Sequence, residues 1–289
     1  MCIRDRELTI LFSNSTNGHL ESCDCPSHPY GGVVRRATYI KQVRSKNSDV
    51  LLLDSGDILP PYSSADLAEC LFQIYERLNY DAVGIGDQEL SFEGFVTLKD
   101  KYKIPFLSSN LNYCEGDVCN FIAPKEKIIK KAGLTIAVIS VTDPDVFVLY
   151  PEKFKKRFPV LETEDAINGF MERNKGKYDY LIVISHSGFD KDKELAGKFP
   201  GIDLIVGGHS QNPLHQPHKV GKTLIVQAGP DAQHVGELTL IFDERKLLYS
   251  YGHKIVALTK EIPDDPDSRA LIEKYKRKQS PWDKQKIKK

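Results

Sequence analysis

Four short apolar runs in this sequence end at residues that can bind an ion or a phosphate group. The runs are VLLLDSGD (50–57), AVGIGDQE (82–89), LIVISHSG (181–188) and LIVGGHSQN (204–212). An uninterrupted apolar run that stops at a glycine turn is typical of a strand buried on both faces. Open α/β sheets present their chemistry where such strands end. Asp57, which ends the first run, is therefore expected beside an ion or phosphate. For this residue alone, capping of the next helix is the alternative.

A second group of reactive side chains follows the first apolar segment of the chain. His19, Cys23, Cys25 and His28 have the spacing H-x3-C-x-C-x2-H. Two cysteines two residues apart point the same way in an extended segment, and thiolates with imidazoles suit zinc, copper or iron. A local disulfide and two unligated thiols are the alternatives. No CxxCH haem signature is present in the sequence.

The apolar pattern predicts the elements that position these groups. Strands are predicted over 8–13, 50–57, 82–86, 104–111, 126–132, 134–142, 180–186, 204–208, 223–228, 234–242 and 247–259. Helices are predicted over 33–46, 64–78, 93–102, 163–175, 190–198 and 264–278. Strands and helices alternate first, and a strand-rich end follows. This order predicts an α/β (α+β) fold in which two mixed β-sheets pack together with helices outside.

Length and composition restrict the class of protein. The chain has 289 residues, of which 40% are hydrophobic and 28% charged, as in ordinary globular proteins. This length is enough for one large domain or two small ones. The net charge is +0, so charge alone does not indicate a nucleic-acid partner. No run approaches the roughly 18 apolar residues of a membrane span.

The two ends of the chain are expected to lie outside the main domain, which we predict over 7–262. The first six residues, MCIRDR (1–6), resemble a translated sequencing adapter, and on this interpretation the native start and any signal peptide are missing. Residues 263–289 are predicted to form a terminal helix and a basic tail. The tail is interpreted as a solvated end, with a membrane- or partner-binding role as the alternative.

The other cysteines have simpler interpretations. Cys114 and Cys119 bracket the turn-like sequence Glu-Gly-Asp-Val. A disulfide across a hairpin is plausible there, and two free thiols in a loop are the alternative. Cys70 lies in a helical pattern and is predicted to be a core residue.

Six motifs in a fixed order resemble those of the calcineurin-like metallophosphoesterases. The segments are NSTNGH (14–19), GGVVRRA (31–37), DSGD (54–57), GDQE (86–89), SHSG (185–188) and GGHSQ (207–211). They are similar to N-D-x-H-G-H, GG-x-x-RRA, D-x-GD, GNHE, SH-x-G and GGH-x-H of the 5′-nucleotidase and UDP-sugar hydrolase family. The resemblance extends from about Leu8 to Thr259. It implies a four-layer αββα sandwich and a metal-dependent hydrolase.

One metal site of that family keeps its ligands in this sequence. By the resemblance, Asp57 falls on the carboxylate that bridges two metals, and His186 and His209 fall on imidazole ligands of the second metal. Asp87 replaces the Asn ligand of that metal, and a carboxylate suits a hard cation. The implied cofactor is one divalent transition metal (Zn, Mn or Fe), with a second ion uncertain.

The other metal site of the family has lost its ligands. Ser15, Asn17 and Gln211 stand where the family has an Asp and two His residues. Gln88 replaces the His that acts as general acid or transition-state donor in the family, and an amide cannot deliver a proton. Asn17 and Gln88 are the candidate catalytic residues at the altered positions. A bacterial subgroup of the family resembles this chain, with a Cys-x-Cys segment before GG-x-x-RRA.

Three functions follow as expectations from the resemblance. The first is hydrolysis of small phosphate esters by a reduced or rebuilt metal centre, with a preference for good leaving groups because the acid is missing. The second is a catalytically inactive metal- or ligand-binding module, and the third is a sulfur-ester hydrolase. An exported, periplasmic monomer is expected, with a cytoplasmic location as the alternative.

Overall fold

The computed structural model describes residues 6–22 and 29–278 of the chain. The strands in these ranges are β1 (Arg6–Ser13), β2 (Val50–Asp54), β3 (Ala82–Val83), β4 (Asn112–Glu115), β5 (Val118–Phe121), β6 (Glu126–Lys131), β7 (Leu134–Thr142), β8 (Tyr180–His186), β9 (Leu204–Gly207), β10 (His218–Val220), β11 (Thr223–Val226), β12 (His234–Phe242) and β13 (Leu248–Ala257). The α-helices are α1 (Val33–Lys46), α2 (Ala65–Leu78), α3 (Asp87–Ser91), α4 (Phe95–Lys101), α5 (Glu152–Arg157), α6 (Thr163–Arg173), α7 (Phe189–Lys198) and α8 (Pro266–Lys278). A short 3-10 helix covers Pro144–Phe147.

The strands form two large sheets and one separate hairpin. The first sheet has the order β13-β12-β1-β2-β3, the second has the order β10-β11-β9-β8-β7-β6, and β4 pairs with β5. In the first sheet β1, β2 and β3 run parallel. In the second sheet β7, β8, β9 and β11 run parallel. Parallel neighbours present their carboxyl ends at the same edge, where the loops that follow them can build a site.

Four layers result from the way the apolar faces are covered. Along β1, Ile10 and Phe12 belong to the core between the two sheets, whereas Leu11 belongs to the core under α1, α2 and α8. This alternation follows from the two-residue period of a strand. On the other side, α6 and α7 cover the outer face of the second sheet. The predicted α/β (α+β) fold with an αββα arrangement is confirmed.

Three predicted strands differ most from the structure. The strand predicted over 82–86 is shortened to the two residues of β3. The run that begins at Val50 leaves the strand conformation after Asp54, since a turn around Gly56 follows it. The segment 104–111 makes only isolated bridges, through Phe106 and Leu111, instead of a strand. Pro105 lies in this segment, has no N–H to donate and therefore interrupts a hydrogen-bonded ladder.

The hairpin of β4 and β5 has a disulfide between Cys114 and Cys119, which face each other across the two strands. The predicted disulfide across a hairpin is therefore present. Cys70 is a free, buried thiol on α2, as predicted for a core residue. α8 packs on the core of the first sheet through Ile272. No helix in the described ranges has the length and apolar character needed to cross a membrane.

Candidate metal centre

The four ligands predicted from the sequence come together at one edge of the two sheets. Asp57 follows β2, and Asp87 begins α3 soon after β3. His186 is the last residue of β8, and His209 follows β9. The two carboxylates therefore extend from the first sheet and the two imidazoles from the second.

Distances within this group suit a metal ion. The ligand atoms of Asp87, His186 and His209 lie within 4.8 Å of one another. Nε2 of His186 is 3.2 Å from Oδ1 of Asp87 and 3.4 Å from Oδ2 of Asp57, and Nδ1 of His209 is 3.5 Å from Oδ1 of Asp87. Two imidazoles with carboxylates are a donor set for a divalent transition metal.

Neighbouring groups hold two of these ligands in a binding orientation. Nδ1 of His186 donates a hydrogen bond to the Ser55 carbonyl oxygen at 2.7 Å. In the neutral ring the lone pair is then on Nε2, the atom that faces the carboxylates. The hydroxyl of Tyr150 donates to Oδ2 of Asp87 at 2.7 Å. Outer partners of this kind orient the ligands of metal sites.

The positive charge of a protonated His186 and the negative charges of Asp57 and Asp87 stabilise one another. Burial opposes the charged imidazole of His186, but the carboxylates of Asp57 and Asp87 outweigh burial and raise its pKa to about 10. Burial also raises the pKa of Asp57. For Asp87 the effect of burial is outweighed by hydrogen bonds from His186, His209 and Tyr150, so its pKa is lowered. A metal cation can take the place of the proton that this cluster attracts.

Glu89 connects the loops that contain the two carboxylates. Its side chain is fully buried and accepts hydrogen bonds from the backbone N–H groups of Asp57 (2.9 Å), Leu59 (3.1 Å) and Gly86 (2.8 Å). Burial, together with the nearby charge of Asp57, raises the pKa of Glu89 to about 8. Glu89 therefore positions the ligands without being one.

The packing around the carboxylates leaves no room for a side chain at Gly86. A Cβ atom on Gly86 would lie 2.2 Å from Oδ1 of Asp57 and 2.7 Å from Cε1 of His186. Two of the ligands themselves have left-handed backbone conformations, Asp57 with φ 59° and His209 with φ 66°. Such conformations cost about 1–3 kcal/mol each and occur preferentially at functional sites.

A chain of polar side chains extends from Asp57 on the other side of the cluster. Nε2 of Gln88 donates to Oδ2 of Asp57 at 3.0 Å and to Oδ1 of Asn17 at 3.2 Å. Nδ2 of Asn17 donates to Oδ1 of Asp231 at 2.8 Å, and that oxygen is 3.4 Å from Nε2 of His19. The two amides next to Asp57 are neutral and bind divalent ions weakly. Among the described residues, the group around Asp57 therefore fits one ion and does not fit two.

The other predicted site residues within the described ranges offer a metal ion weaker ligands. Ser15 is fully buried, and its hydroxyl accepts a hydrogen bond from Asn14. Gln211 has a left-handed conformation with φ 56° and, like Ser15, adds neither a carboxylate nor an imidazole. The predicted ligands Cys23, Cys25 and His28 lie outside the described residues, as does the tail beyond Lys278.

The sequence analysis assigned no role to three residues near the candidate ligands. Tyr150 reaches Asp87 from the loop after the 3-10 helix, and Asp231 lies in the loop between β11 and β12. Neither belongs to a recognised motif. Glu89 does belong to the GDQE segment, two residues after Asp87, and this position could have indicated a role at the site. That Glu89 accepts hydrogen bonds from backbone N–H groups could be recognised only from the folded loop.

Known proteins are similar to this chain over almost its whole length. No protein-family model matches it. A human 5′-nucleotidase is 29% identical over 312 residues, which is 93% of this chain and 52% of that protein. The chain therefore spans about half the length of this curated relative.

Solved structures share the fold. A 5′-nucleotidase precursor from Thermus thermophilus superposes with a TM-score of 0.83 at 24% identity, over 94% of this chain and 58% of that one. A calcineurin-like phosphoesterase from Bacillus subtilis superposes with a TM-score of 0.76 at 16% identity, over 94% of this chain and 97% of the other. At these identities the likeness demonstrates the common fold.

Proposed function

We propose that this chain, which is similar to 5′-nucleotidases and to a calcineurin-like phosphoesterase, belongs to the metallophosphoesterase superfamily and is a metal-dependent hydrolase of phosphate esters. The observation that supports this function is the cluster of Asp57, Asp87, His186 and His209 at the carboxyl edge of two sheets. Open α/β proteins bind their ligands at this edge. Zn, Mn or Fe is the proposed ion, and one ion is expected in this cluster.

Each residue of the cluster has its own proposed role in holding the ion or in orienting its ligands. A divalent ion held by these residues would supply the polarisation of a phosphoryl oxygen and the activation of water. Asp57 and Asp87 supply the negative charge that holds such an ion, and Ser55 and Tyr150 fix the orientation of His186 and Asp87. Gln88 directs its amide to Asp57. His209, whose side chain is 40% exposed, lies at the open side of the cluster, where a small ester can approach.

We propose a small phosphorylated substrate, with nucleoside monophosphates as the first class to test because the relatives are named 5′-nucleotidases. An exported, periplasmic monomer is also proposed. The proposed domain covers residues 7–262, followed by a terminal helix and basic tail over 263–289. Cys23 and Cys25 are proposed to bind a further ion in place of Ser15 and Asn17.

The experiment is metal analysis of anaerobically purified protein combined with an assay of phosphate release. His186→Ala and His209→Ala should each remove the ion, because each takes away one of two imidazole ligands. Both variants should lose metal-stimulated hydrolysis of a nucleoside 5′-monophosphate and of 4-nitrophenyl phosphate. The matched control is His218→Ala, since His218 is exposed on β10 and lies outside the cluster.

Each result has a clear meaning. Full retention of the ion in both His variants would disprove the site. If the ion is lost but wild type and His209→Ala release phosphate equally across a panel of metals, the protein is an inactive binding module. The Cys23→Ser, Cys25→Ser double variant should lose one metal equivalent while keeping the ion that depends on His209. Equal metal content in this variant and in wild type would show that the cysteines do not bind metal.

A further inference from the structure

A cavity of about 420 Å³ lies at the end of the second sheet that is opposite to the metal cluster. Its lining includes Tyr180, the first residue of β8, whereas His186, the last residue of that strand, belongs to the cluster. The turn and first residues of the β12–β13 hairpin, from Lys246 to Tyr251, bound the cavity on its other side. Ligand cavities in proteins have volumes of about 300–1,000 Å³, so this cavity can hold a small molecule.

Tyrosine side chains form much of the cavity wall. Tyr178 and Tyr180 flank the start of β8, and Tyr249 and Tyr251 belong to β13. Tyr249 is 58% exposed and Tyr251 is 41% exposed, so a ligand can reach both rings. The ring of Tyr180 packs edge-on against Phe242, with 5.4 Å between the ring centroids, and this contact fixes its orientation. Aromatic side chains bind planar rings by offset stacking or by edge-to-face contact.

Three lysines line the cavity, and carboxylates neutralise two of them. Nζ of Lys222 lies 2.6 Å from Oδ1 of Asp203, and Nζ of Lys246 lies 2.7 Å from Oδ2 of Asp179. Lys219 is exposed on β10 and makes no ion pair in the described parts of the chain. The lining therefore has one cation without a carboxylate partner. Its ammonium group, on a flexible stem, is free to bind an anion in the cavity.

The hydroxyl of Tyr180 is an independent feature that indicates a ligand. Tyr180 is only 3% exposed, and its hydroxyl has no hydrogen-bond partner among the residues that the structure describes. A buried polar group without a partner costs free energy, and native proteins contain few of them. Burial and the nearby charge of Asp203 raise the pKa of Tyr180, so the hydroxyl stays protonated and can donate a hydrogen bond. A ligand that accepts this bond would remove the cost.

We propose that this cavity binds an aromatic anion, with the ring of the ligand against Tyr180 and Tyr251 and its negative group bonded to Lys219. The hydroxyl of Tyr180 donates a hydrogen bond to the bound molecule. This site is separate from the metal cluster, so its occupation depends neither on the metal nor on the proposed hydrolysis.

The test compares two fluorescent dyes that differ in one negative group. The first is 8-anilinonaphthalene-1-sulfonate, and the second, N-phenyl-1-naphthylamine, has the same rings without the sulfonate. Titration of the full chain should show saturable binding of one sulfonate dye per chain. Lys219→Gln should raise the Kd of the sulfonate dye by about 3- to 10-fold, because a charge-assisted bond is lost, and that of the neutral dye by less than about 2-fold.

Two further substitutions test the tyrosines. Tyr180→Phe keeps the ring and removes only the hydroxyl that lacks a partner, so the dye-free protein should melt at the same or a higher temperature. Its Kd for the sulfonate dye should rise by about 3-fold or more, because a hydrogen bond to the ligand is lost. Tyr251→Ser removes an accessible ring and should raise the Kd of both dyes by about 3-fold or more.

The matched control is Lys130→Gln, which should bind both dyes as wild type does. Lys130 is exposed on β6, at the opposite edge of the sheet that contains Lys219. Binding that does not saturate, or a Kd that is unchanged in Lys219→Gln or in Tyr180→Phe, would overturn the proposal. Equal weakening in Lys130→Gln would reduce the effect of Lys219 to general surface charge and would also overturn it. Weaker binding in His209→Ala would place the dye at the metal cluster instead.

Discussion

At the level of single residues, one buried carboxyl group outside the metal cluster is unusual. Asp192 lies in the first turn of α7 and is fully buried. Burial disfavours its carboxylate form more strongly than the nearby Ser185 and His186 favour it, and the pKa of Asp192 is raised to about 7.

This pKa predicts how stability changes with pH. Between about pH 4 and pH 7 the unfolded chain releases the Asp192 proton while the folded chain keeps it, so the folded state loses relative stability as pH rises. Asp192→Asn removes this effect. From about pH 5 to about pH 8 the free energy of unfolding should fall by about 2–3 kcal/mol more in wild type than in the variant. Urea unfolding at the two pH values measures this difference, and identical losses would contradict the assignment.

Residue types at strand ends indicated the candidate ligands in the sequence. Asp57, Asp87, His186 and His209 each follow an apolar run, so both their chemistry and their edge of the sheet could be predicted. Asp231 could not be predicted, because it meets Asn17 only through a contact across 214 residues of sequence. Such a contact depends on loop conformations that no local pattern specifies.

At the level of elements, the turn between β3 and α3 must pass close to the ligands. Gly86 occupies this turn with φ −91°, a conformation that any residue can adopt, so space rather than backbone conformation requires glycine. Gly86→Ala should push Asp57 or His186 away and lower the affinity for the metal by at least about 10-fold. Titration of the metal-free protein with Zn²⁺ or Mn²⁺ measures the change.

Gly197→Ala is the matched control for this substitution. Gly197 lies in α7, and a Cβ added there meets nothing within 4 Å. Alanine favours the helix by about 0.5–1 kcal/mol over glycine, so this variant should be slightly more stable and bind metal as wild type does. Unchanged affinity in Gly86→Ala would show that the loop can move without cost.

Elements with strong periodicity were predicted well, and short or irregular ones were not. The bounds of α1 agree with the predicted 33–46, and those of β12 with 234–242. The strand predicted over 82–86 has only two residues in the structure, as β3, and the five-residue helix α3 is too short for a periodic signal. The apolar residues of 104–111 are buried by packing rather than by a ladder of hydrogen bonds.

At the level of the whole molecule, a bound metal would connect the two sheets. Asp57 and Asp87 extend from the first sheet, and His186 and His209 extend from the second. Because a ligand that binds only the folded state stabilises it, metal at about 100 times its Kd should add about 2.7 kcal/mol. The melting temperature should therefore rise with metal concentration and fall again with a chelator.

Differential scanning calorimetry of wild type and His209→Ala tests this linkage. The variant should melt at the same temperature with and without metal, since one of the two imidazoles from the second sheet is missing. An equal rise in both proteins would place the stabilising ion elsewhere in the molecule.

The layered architecture could be predicted from the sequence because it depends on the order of strands and helices, and each of these is indicated by the hydrophobic pattern of many residues. Alternating strands and helices followed by consecutive strands were enough to predict two sheets with helices outside. The order of strands within each sheet was not predicted, because pairing of distant strands leaves no local trace in the sequence.

The strand order of the first sheet has a consequence for the newly made chain. β1 lies in the middle of this sheet, parallel to β2 on one side and antiparallel to β12 on the other. During synthesis β2 emerges from the ribosome soon after β1, but β12 emerges only with residues 234–242. Until then one side of an apolar strand has no partner, and such open edges can pair with strands of other chains. The edge therefore stays exposed while the residues between β1 and β12 are translated, and it is covered only when β12 has been made.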